Sequence, residues 1–281
     1  MSNAAIDTGL RRRFARLPLL QRISLVVIVI YAIVVVFGPL LAPYGETETV
    51  GSAYEPSSVD FLLGTDNLGR DMLSRIIYGA RNTIGLALAI SVLSFVVGVS
   101  TGLWAAISGG VVDQLLSRAV DVIIAIPKLI FALLILSIAG TSSISLVLTV
   151  ALLDAPRMFR VSRAAAGNIL VMDFIEVARL RNESRVWILF HDVLPNIASV
   201  ILTELGLRFS YVFLFISALG FLGLGIQPPS ADWGTMVREN AALISFGLMT
   251  PIIPAVAIGL LTMSVNFLID SASDRGSELD D

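Results

Sequence analysis

Residues 23–41 read ISLVVIVIYAIVVVFGPLL, nineteen positions without a charged side chain. A helix rises about 1.5 Å per residue and the hydrocarbon core of a bilayer is about 30 Å thick, so this stretch is long enough to cross a membrane. A cluster of arginines precedes it, and no small-x-small cleavage site follows it. We therefore interpret it as an uncleaved membrane anchor rather than a signal peptide.

The whole chain has the composition of a membrane protein. Of its 281 residues, 56% are hydrophobic and 15% are charged, whereas soluble domains carry about 25% charged residues. The net charge of -3 provides no basic surface, so we expect no nucleic-acid partner. The chain contains no cysteine and one histidine, His191, which excludes thiolate chemistry and multi-histidine metal sites. Membrane lipid is the expected surrounding.

Five further apolar windows predict an all-α fold, a polytopic transmembrane bundle with six spans. The windows are residues 85–108, 122–139, 143–158, 197–224 and 245–268. Because the number of spans is even, both termini are expected on the same side. The predicted division is a tail (1–22), the first membrane helix (23–43), an external loop with an amphipathic segment (44–81), a transmembrane core (82–270) with a polar loop (160–196), and a second tail (271–281).

The arginines and lysines predict the orientation, because positively charged loops stay in the cytoplasm. With the N-terminus inside, only four basic residues fall outside, namely Arg70, Arg75, Arg81 and Arg238. Thirteen fall inside: Arg11, Arg12, Arg13, Arg16, Arg22, Arg118, Arg157, Arg160, Arg163, Arg179, Arg181, Arg185 and Arg275. Both termini and the loop 160–196 are therefore predicted to be cytoplasmic.

That cytoplasmic loop has the pattern of two short helices rather than of a solvated connection. In the segment 173–180, Phe174, Ile175 and Ala178 are predicted to share one helical face, while Glu176 and Arg179 lie off it. Such a helix can fit into a groove of a partner protein or lie flat on lipid headgroups. It is short and lacks a basic face, which favours the protein partner. Further along, Pro195 is placed to begin the fifth membrane helix.

Three short motifs in this region carry a resemblance to a known family. Glu176-Val177-Ala178, Asn182-Glu183-Ser184 and Leu194-Pro195 resemble the EAA loop of binding-protein-dependent ABC importer permeases. The family usually has Gly where this chain has Asn182, and Asn is the next most tolerant residue of left-handed backbone. Its histidine usually lies one position later than His191, so the role of His191 here stays open.

Two longer stretches narrow the resemblance to the peptide/nickel class, which includes the dipeptide and oligopeptide importers. Residues 63–81, LGTDNLGRDMLSRIIYGAR, resemble the signature of the second permease subunit of that class. Residues 218–229, ALGFLGLGIQPP, resemble the end of its fifth span. The resemblance covers the chain from about residue 23 to 270 and implies a permease core of five helices in a bacterial or archaeal inner membrane.

The resemblance also implies partners and site residues. The expected partners are a homologous permease, two ABC ATPase subunits or domains, and an extracytoplasmic substrate-binding protein. ATP and Mg²⁺ are expected on the ATPases, because this chain has no phosphate-binding loop and its only lysine is Lys128. The chain itself is then a non-catalytic subunit for a peptide or a related small solute. The residues predicted to couple to the ATPase are Phe174, Ile175, Glu176, Ala178, Arg179 and Asn182.

Charged residues inside the predicted spans are candidates for the translocation pathway. Glu204 and Arg208 are four positions apart, so they lie on one helical face, where each can neutralise the other. A purely structural pair and a pathway lining are both compatible with this spacing. Lys128 follows Pro127 directly and either marks a helix break, extends to the membrane interface or contacts substrate.

Two other classes of function fit the sequence less well. A secondary transporter or channel that needs no ATPase would require membrane-embedded acids or a filter, and this chain has few buried charges. The glycines between 220 and 225 suggest a nucleotide site, but no strand is predicted before them, and close helix packing explains them better.

Overall fold

The computed structural model of the chain describes residues 18–246 and 248–277. Across those residues the fold is helical, with two isolated β-bridges in the segment between the first two helices. The α-helices, in chain order, are α1 (Leu19–Leu41), α2 (Met72–Ser108), α3 (Gly110–Ala125), α4 (Lys128–Ala139), α5 (Ser143–Ile169), α6 (Asp173–Leu180), α7 (Arg185–Ile188), α8 (Leu194–Phe221), α9 (Trp233–Asn240) and α10 (Ile252–Ser277). A π-helical turn, Leu189–Val193, joins α7 to α8, and a 3₁₀ segment, Ala241–Phe246, follows α9.

Four of the helical segments described are long and apolar enough to cross a membrane: α1, α2, the continuous unit Arg185–Phe221, and α10. Helices α3 and α4, with 16 and 12 residues, are each too short to cross alone; together they meet the test as one broken span, bent by 88°. Helix α5, the predicted fourth span, has 27 residues but does not meet it. Its central turns carry Asp154, Arg157 and Arg160. The helical membrane bundle is confirmed, with four or five of the six spans identifiable by length and composition.

The break in the third predicted span lies at Ile126 and Pro127. The sequence predicted one helix over 122–139, whereas α3 ends at Ala125 and α4 begins at Lys128. Both intervening residues have extended backbone, as expected for a proline and the residue before it. Because of this break, the predicted single span consists of two helices, α3 and α4, that run in different directions.

The second predicted span begins thirteen positions earlier than hydropathy indicated, at Met72 instead of residue 85. Asp71 caps the helix, since its Oδ2 accepts hydrogen bonds from the backbone N–H of Ser74 at 2.7 Å and from its hydroxyl at 2.6 Å. Arginines in this stretch concealed the helix in the hydropathy profile. One of them, Arg75, is buried, with its Nε 3.2 Å from Asp66 Oδ2.

Helices α2 and α5 pack closely against each other and form the centre of the molecule. A Cβ atom on Gly98 would lie 2.5 Å from the carbonyl oxygen of Ala155, and one on Gly102 would lie 2.6 Å from that of Phe159. Only glycine permits this approach, as is typical of membrane helix pairs that meet through small residues. Helix α1 packs on the outside of this centre, against α2 and α10.

The segments that connect the helices at the N-terminal end of α2 form a cap. Glu46 Oε1 accepts hydrogen bonds from Asn82 Nδ2 at 2.8 Å and from the N–H of Ala231 at 2.6 Å. Asp232 accepts a hydrogen bond from the hydroxyl of Thr83 at 3.0 Å, and the indole of Trp233 donates to the carbonyl of Ile76. Burial raises the pKa of the Asp232 carboxyl.

Candidate functional site

The predicted coupling segment lies at the opposite end of the molecule from the cap and contains helix α6. Asp173 and Glu176 are in its first turn and Arg179 in its last, which suits the helix dipole. The chain then turns sharply at Asn182, whose φ is +57°. Asparagine and glycine tolerate this left-handed backbone best, so the sharp turn is compatible with Asn182 in place of the family's usual glycine. The N–H of Glu183 donates to the carbonyl of Ala178 and closes the turn.

Helix α6 turns Ile175 and Ala178, two of the three residues of the predicted apolar face, toward its own chain. Ile175 is fully buried and Ala178 is 6% exposed, packed within this chain against the π-helical turn and α5. The prediction that both side chains fill a partner's groove is therefore corrected. A helix with apolar residues on two sides does not reveal from periodicity alone which side its own chain covers.

The opposite face of α6 is open and apolar. We define the outer α6 face as five exposed hydrophobic residues on α6 and in the two positions before it: Val171, Met172, Phe174, Val177 and Leu180. Of the two predicted apolar neighbours, Phe174 and Ile175, only Phe174 belongs to it. Beside this face, a cavity of about 520 Å³ is lined by Leu170, Val171, Met172, Glu176, Arg179 and Leu180. An exposed apolar patch rimmed by charge is typical of a protein docking surface.

The segment after α6 anchors this surface to the membrane helix α8. The rings of His191 and Trp187 stack, with centroids 4.6 Å apart and planes at 5°. His191 Nδ1 lies 3.1 Å from the carbonyl oxygen of Trp187. Pro195 occupies the first turn of α8, as predicted, but α8 is continuous with the π-helical turn before it.

The break between α3 and α4 brings Lys128 to Asp154. Lys128 Nζ lies 2.8 Å from Asp154 Oδ1, and Asp154 is 1% exposed. The Ser94 hydroxyl approaches the other carboxylate oxygen at 3.4 Å. Lys128 therefore does more than mark a helix break, since it is the counter-ion of a buried acid. Sequence reasoning missed this pair because its members are 26 positions apart.

Glu204 and Arg208 contact each other as their spacing predicted. Arg208 Nε lies 2.8 Å from Glu204 Oε1, although the N–H does not point at the oxygen, so the contact is an ion pair without a hydrogen bond. The Arg208 guanidinium also lies over the ring of Tyr211, 4.7 Å from its centroid.

Two further ion pairs join α3 to α5 near the end of the molecule that carries α6. Arg160 Nη2 lies 2.6 Å from Asp121 Oδ1, and the guanidinium of Arg163 contacts Asp113 through two nitrogens. Both arginines follow Asp154 on α5, but neither pairs with it. The acids are on α3, two helices earlier in the chain, which is a tertiary arrangement that local spacing does not reveal.

The glycine-rich run at the C-terminal end of α8 is explained by packing. A Cβ on Gly220 would lie 2.4 Å from Asp232 Oδ2, and one on Gly225 would lie 2.5 Å from the Cα of Gly220. Gly223 has φ of +90°. These glycines allow the chain to fold back on the end of α8, in agreement with the packing explanation favoured from the sequence.

Comparisons with known proteins agree with this architecture. The chain is 36% identical over 245 residues to the di/tripeptide transport system permease protein DppC of Pseudomonas aeruginosa, covering 85% of this chain and 81% of that protein. It is 35% identical over 246 residues to the peptide transport system permease protein SapC of Escherichia coli O6:H1, covering 85% and 83%. A solved structure of the MetNI methionine ABC transporter in inward-facing conformations matches with a TM-score of 0.54 at 16% identity, over 72% of this chain and 97% of that one. At that identity, this last match supports the fold alone.

The family comparison covers the greater part of the transmembrane core. Residues 98–275 match the family described as binding-protein-dependent transport system inner membrane component. The match includes the broken span, the coupling segment and both intramembrane ion pairs. The chain belongs to this family of ABC importer permeases.

Proposed function

We propose that this chain is one of two permease subunits of an ATP-driven importer of peptides or related small solutes. The observation that carries the proposal is the outer α6 face, an exposed apolar surface on a charged segment between two membrane helices. The relatives named as peptide permeases support peptides as the solute class. The remaining subunits are a homologous permease, two ATPase subunits or domains, and a substrate-binding protein.

Helix α6 is proposed to transmit the motion of the ATPase to the membrane helices. Ile175 and Ala178 pack against Ile188, Leu189 and Val193, which lead directly into α8. A force applied to the outer α6 face therefore acts on α5 and α8 through a packed core rather than through a flexible loop. The predicted roles of Glu176 and Arg179 become those of charges at the rim of the docking surface.

ATP and Mg²⁺ are proposed to bind on the partner ATPases, and this subunit is proposed to be non-catalytic. The chain has no Gly-x-x-x-x-Gly-Lys-Ser/Thr loop that could hold the phosphates. We place the complex in the cytoplasmic (inner) membrane, with both termini and the loop 160–196 in the cytoplasm. The arginine distribution supports this orientation. Of the predicted tails 1–22 and 271–281, residues 1–17 and 278–281 lie outside the described residues.

A substitution at Val177 tests the docking surface. Val177 is 54% exposed, so Val177→Arg adds a charge to the apolar patch without disturbing this chain's core. We expect the variant to reach the membrane at a normal level, to lose its ATPase subunits on purification and to lose ATP-dependent uptake. A matched control is Val59→Arg, at a valine that is 96% exposed on the segment between α1 and α2.

A substitution at the neighbouring position, Ala178, distinguishes a loss of docking from a loss of folding. Ala178→Arg introduces a charge into the packed core, and we expect it to lower the amount of folded subunit instead of only releasing the ATPase. Retention of the ATPase and of uptake by a well-folded Val177→Arg protein would overturn the proposed docking surface.

A further inference from the structure

Lys128 lies at the broken span, with its ammonium group partly open to its surroundings. The side chain is 26% exposed, whereas that of its partner Asp154 is 1% exposed. The buried acid fixes one side of the ammonium group at 2.8 Å, and the other side is free to meet another group. The Nζ atom also lies 4.5 Å from the centroid of the Phe215 ring on α8.

Arg208 contributes a buried donor that is not satisfied. Its side chain is 8% exposed, and its Nη1 atom has no hydrogen-bond partner among the described residues. The ion pair with Glu204 neutralises the charge but leaves this N–H group without an acceptor. A buried donor without an acceptor is unfavourable, and such groups in native proteins usually have a function or an unseen partner.

Arg157 is the third cation of the group. It lies one turn after Asp154 on α5, is exposed, and has no ion-pair partner within the part of the chain described. Arg157 is three positions from Asp154, which pairs with Lys128, and the rings beneath Lys128 and Arg208 belong to Phe215 and Tyr211, four positions apart on α8, so the three side chains form one cluster. With Asp154 and Glu204 as the two acids, three cations face two anions and one positive charge is in excess.

Two aromatic rings on α8 border this cluster. The Phe215 ring lies under Lys128 and the Tyr211 ring lies under Arg208. These rings are one helical turn apart, and Tyr211 is 54% exposed. The cluster therefore combines an excess of positive charge with an apolar wall, a combination that suits a ligand with an anionic group and an apolar side chain.

Unsatisfied donors within membrane helices, such as Arg208 Nη1, face a polar cavity or another protein group rather than lipid. We infer that Lys128, Arg157 and Arg208 form a site on the translocation pathway that binds a carboxylate group of the transported solute. Arg208 Nη1 supplies the unused donor, Arg157 the uncompensated charge, and Tyr211 and Phe215 the surface for the remainder of the solute. The inference rests on the proposed function, since it requires a pathway between this subunit and a second permease.

The absence of cysteine from this chain makes a direct electrostatic test possible. Leu214, between the two aromatic residues on α8, is 43% exposed, so Leu214→Cys provides a single thiol beside the cluster. In the assembled complex in proteoliposomes, with and without ATP, we expect an anionic methanethiosulfonate to label this subunit about fivefold faster than a cationic one. Arg157→Gln should abolish this preference, whereas Arg118→Gln, at an exposed arginine on α3, should leave it unchanged.

Competition identifies the group that binds. L-alanyl-L-alanine should slow the labelling in the wild-type background, and L-alanyl-L-alaninamide, which lacks the carboxylate, should not. The inference is overturned if the thiol stays unreactive in both nucleotide states, if Arg157→Gln keeps the charge preference, or if inorganic phosphate protects as well as the dipeptide. ATP-dependent uptake by the Leu214→Cys complex is measured in parallel. Normal uptake with charge-independent labelling would refute the carboxylate site and leave the importer function standing.

Discussion

The backbone at Asn182 determines where the coupling segment turns. Its φ of +57° belongs to the left-handed region, which asparagine and glycine occupy and which costs other residues roughly 1–2 kcal/mol. The turn places Glu183 so that its N–H donates to the carbonyl of Ala178. A single backbone angle thus orients α6 relative to α7.

Two substitutions at Asn182 test this role. We expect Asn182→Gly to keep the thermal stability and ATPase association of the complex, because glycine adopts positive φ freely. Asn182→Val should weaken both, because a β-branched residue is strongly disfavoured in that region. The control is Arg181→Val, one position earlier, where φ is -78° and the side chain is exposed. Equal behaviour of the valine variants at 181 and 182 would contradict the role of the left-handed turn.

At the scale of helices, the sequence predicted the features that depend on local composition and spacing, and it missed those that depend on contacts between helices. The first apolar stretch, the start of α8 near Pro195 and the Glu204–Arg208 contact depend on local composition and spacing, so they were accessible. The early start of α2 and the inward face of α6 were not. Both depend on tertiary burial, of Arg75 against Asp66 in one case and of Ile175 in the other.

In the candidate site, too, the sequence identified individual residues but not the tertiary contacts between them. Lys128 and Arg208 were identified because charge in an apolar window is conspicuous. Their grouping with Arg157 was not predicted, because it depends on the 88° bend that brings Lys128 of α4 to Asp154 on α5 and Phe215 on α8. A proline in the sequence indicates where a helix breaks, but the direction of the helix after the break is determined by its packing against neighbouring helices.

The packing of α2 on α5 can be tested with two glycines of the same helix. A methyl group at Gly102 would come within 2.2 Å of Ser162 Oγ and 2.6 Å of a backbone oxygen, so Gly102→Ala should destabilise the protein by roughly 1–3 kcal/mol. Gly85 has no atom within 4 Å of that position, and Gly85→Ala should raise the stability by up to about 1 kcal/mol through helix propensity. Thermal unfolding of the purified variants measures both effects, and a shift of the same sign in each would refute the close packing.

At the scale of the whole molecule, the charged groups are arranged in layers along α2 and α5. The cap contains the buried group of Asp66, Arg70 and Arg75, the middle contains the cluster around Lys128, and the α6 end contains the arginines that pair with α3. Buried or paired charges at each level allow polar residues to lie within a bundle that is otherwise apolar. Helix α3, which has no buried residue, is fixed to α5 largely by the last of these layers.

The orientation of these layers in the membrane yields the broadest prediction. If the arginine-rich end is cytoplasmic, a thiol at Val171 is shielded in intact cells, whereas thiols at Val59 and Gln227 are accessible from outside. All three side chains are exposed in the structure, so burial within the subunit does not protect them. The chain has no native cysteine, and Val59→Cys, Val171→Cys and Gln227→Cys can each be labelled with an impermeant maleimide before and after permeabilisation. We expect the thiols at 59 and 227 to react in intact cells and the thiol at 171 only after permeabilisation. Labelling of 171 alone in intact cells would reverse the orientation and place the outer α6 face on the side of the membrane where no ATP-driven partner could bind it.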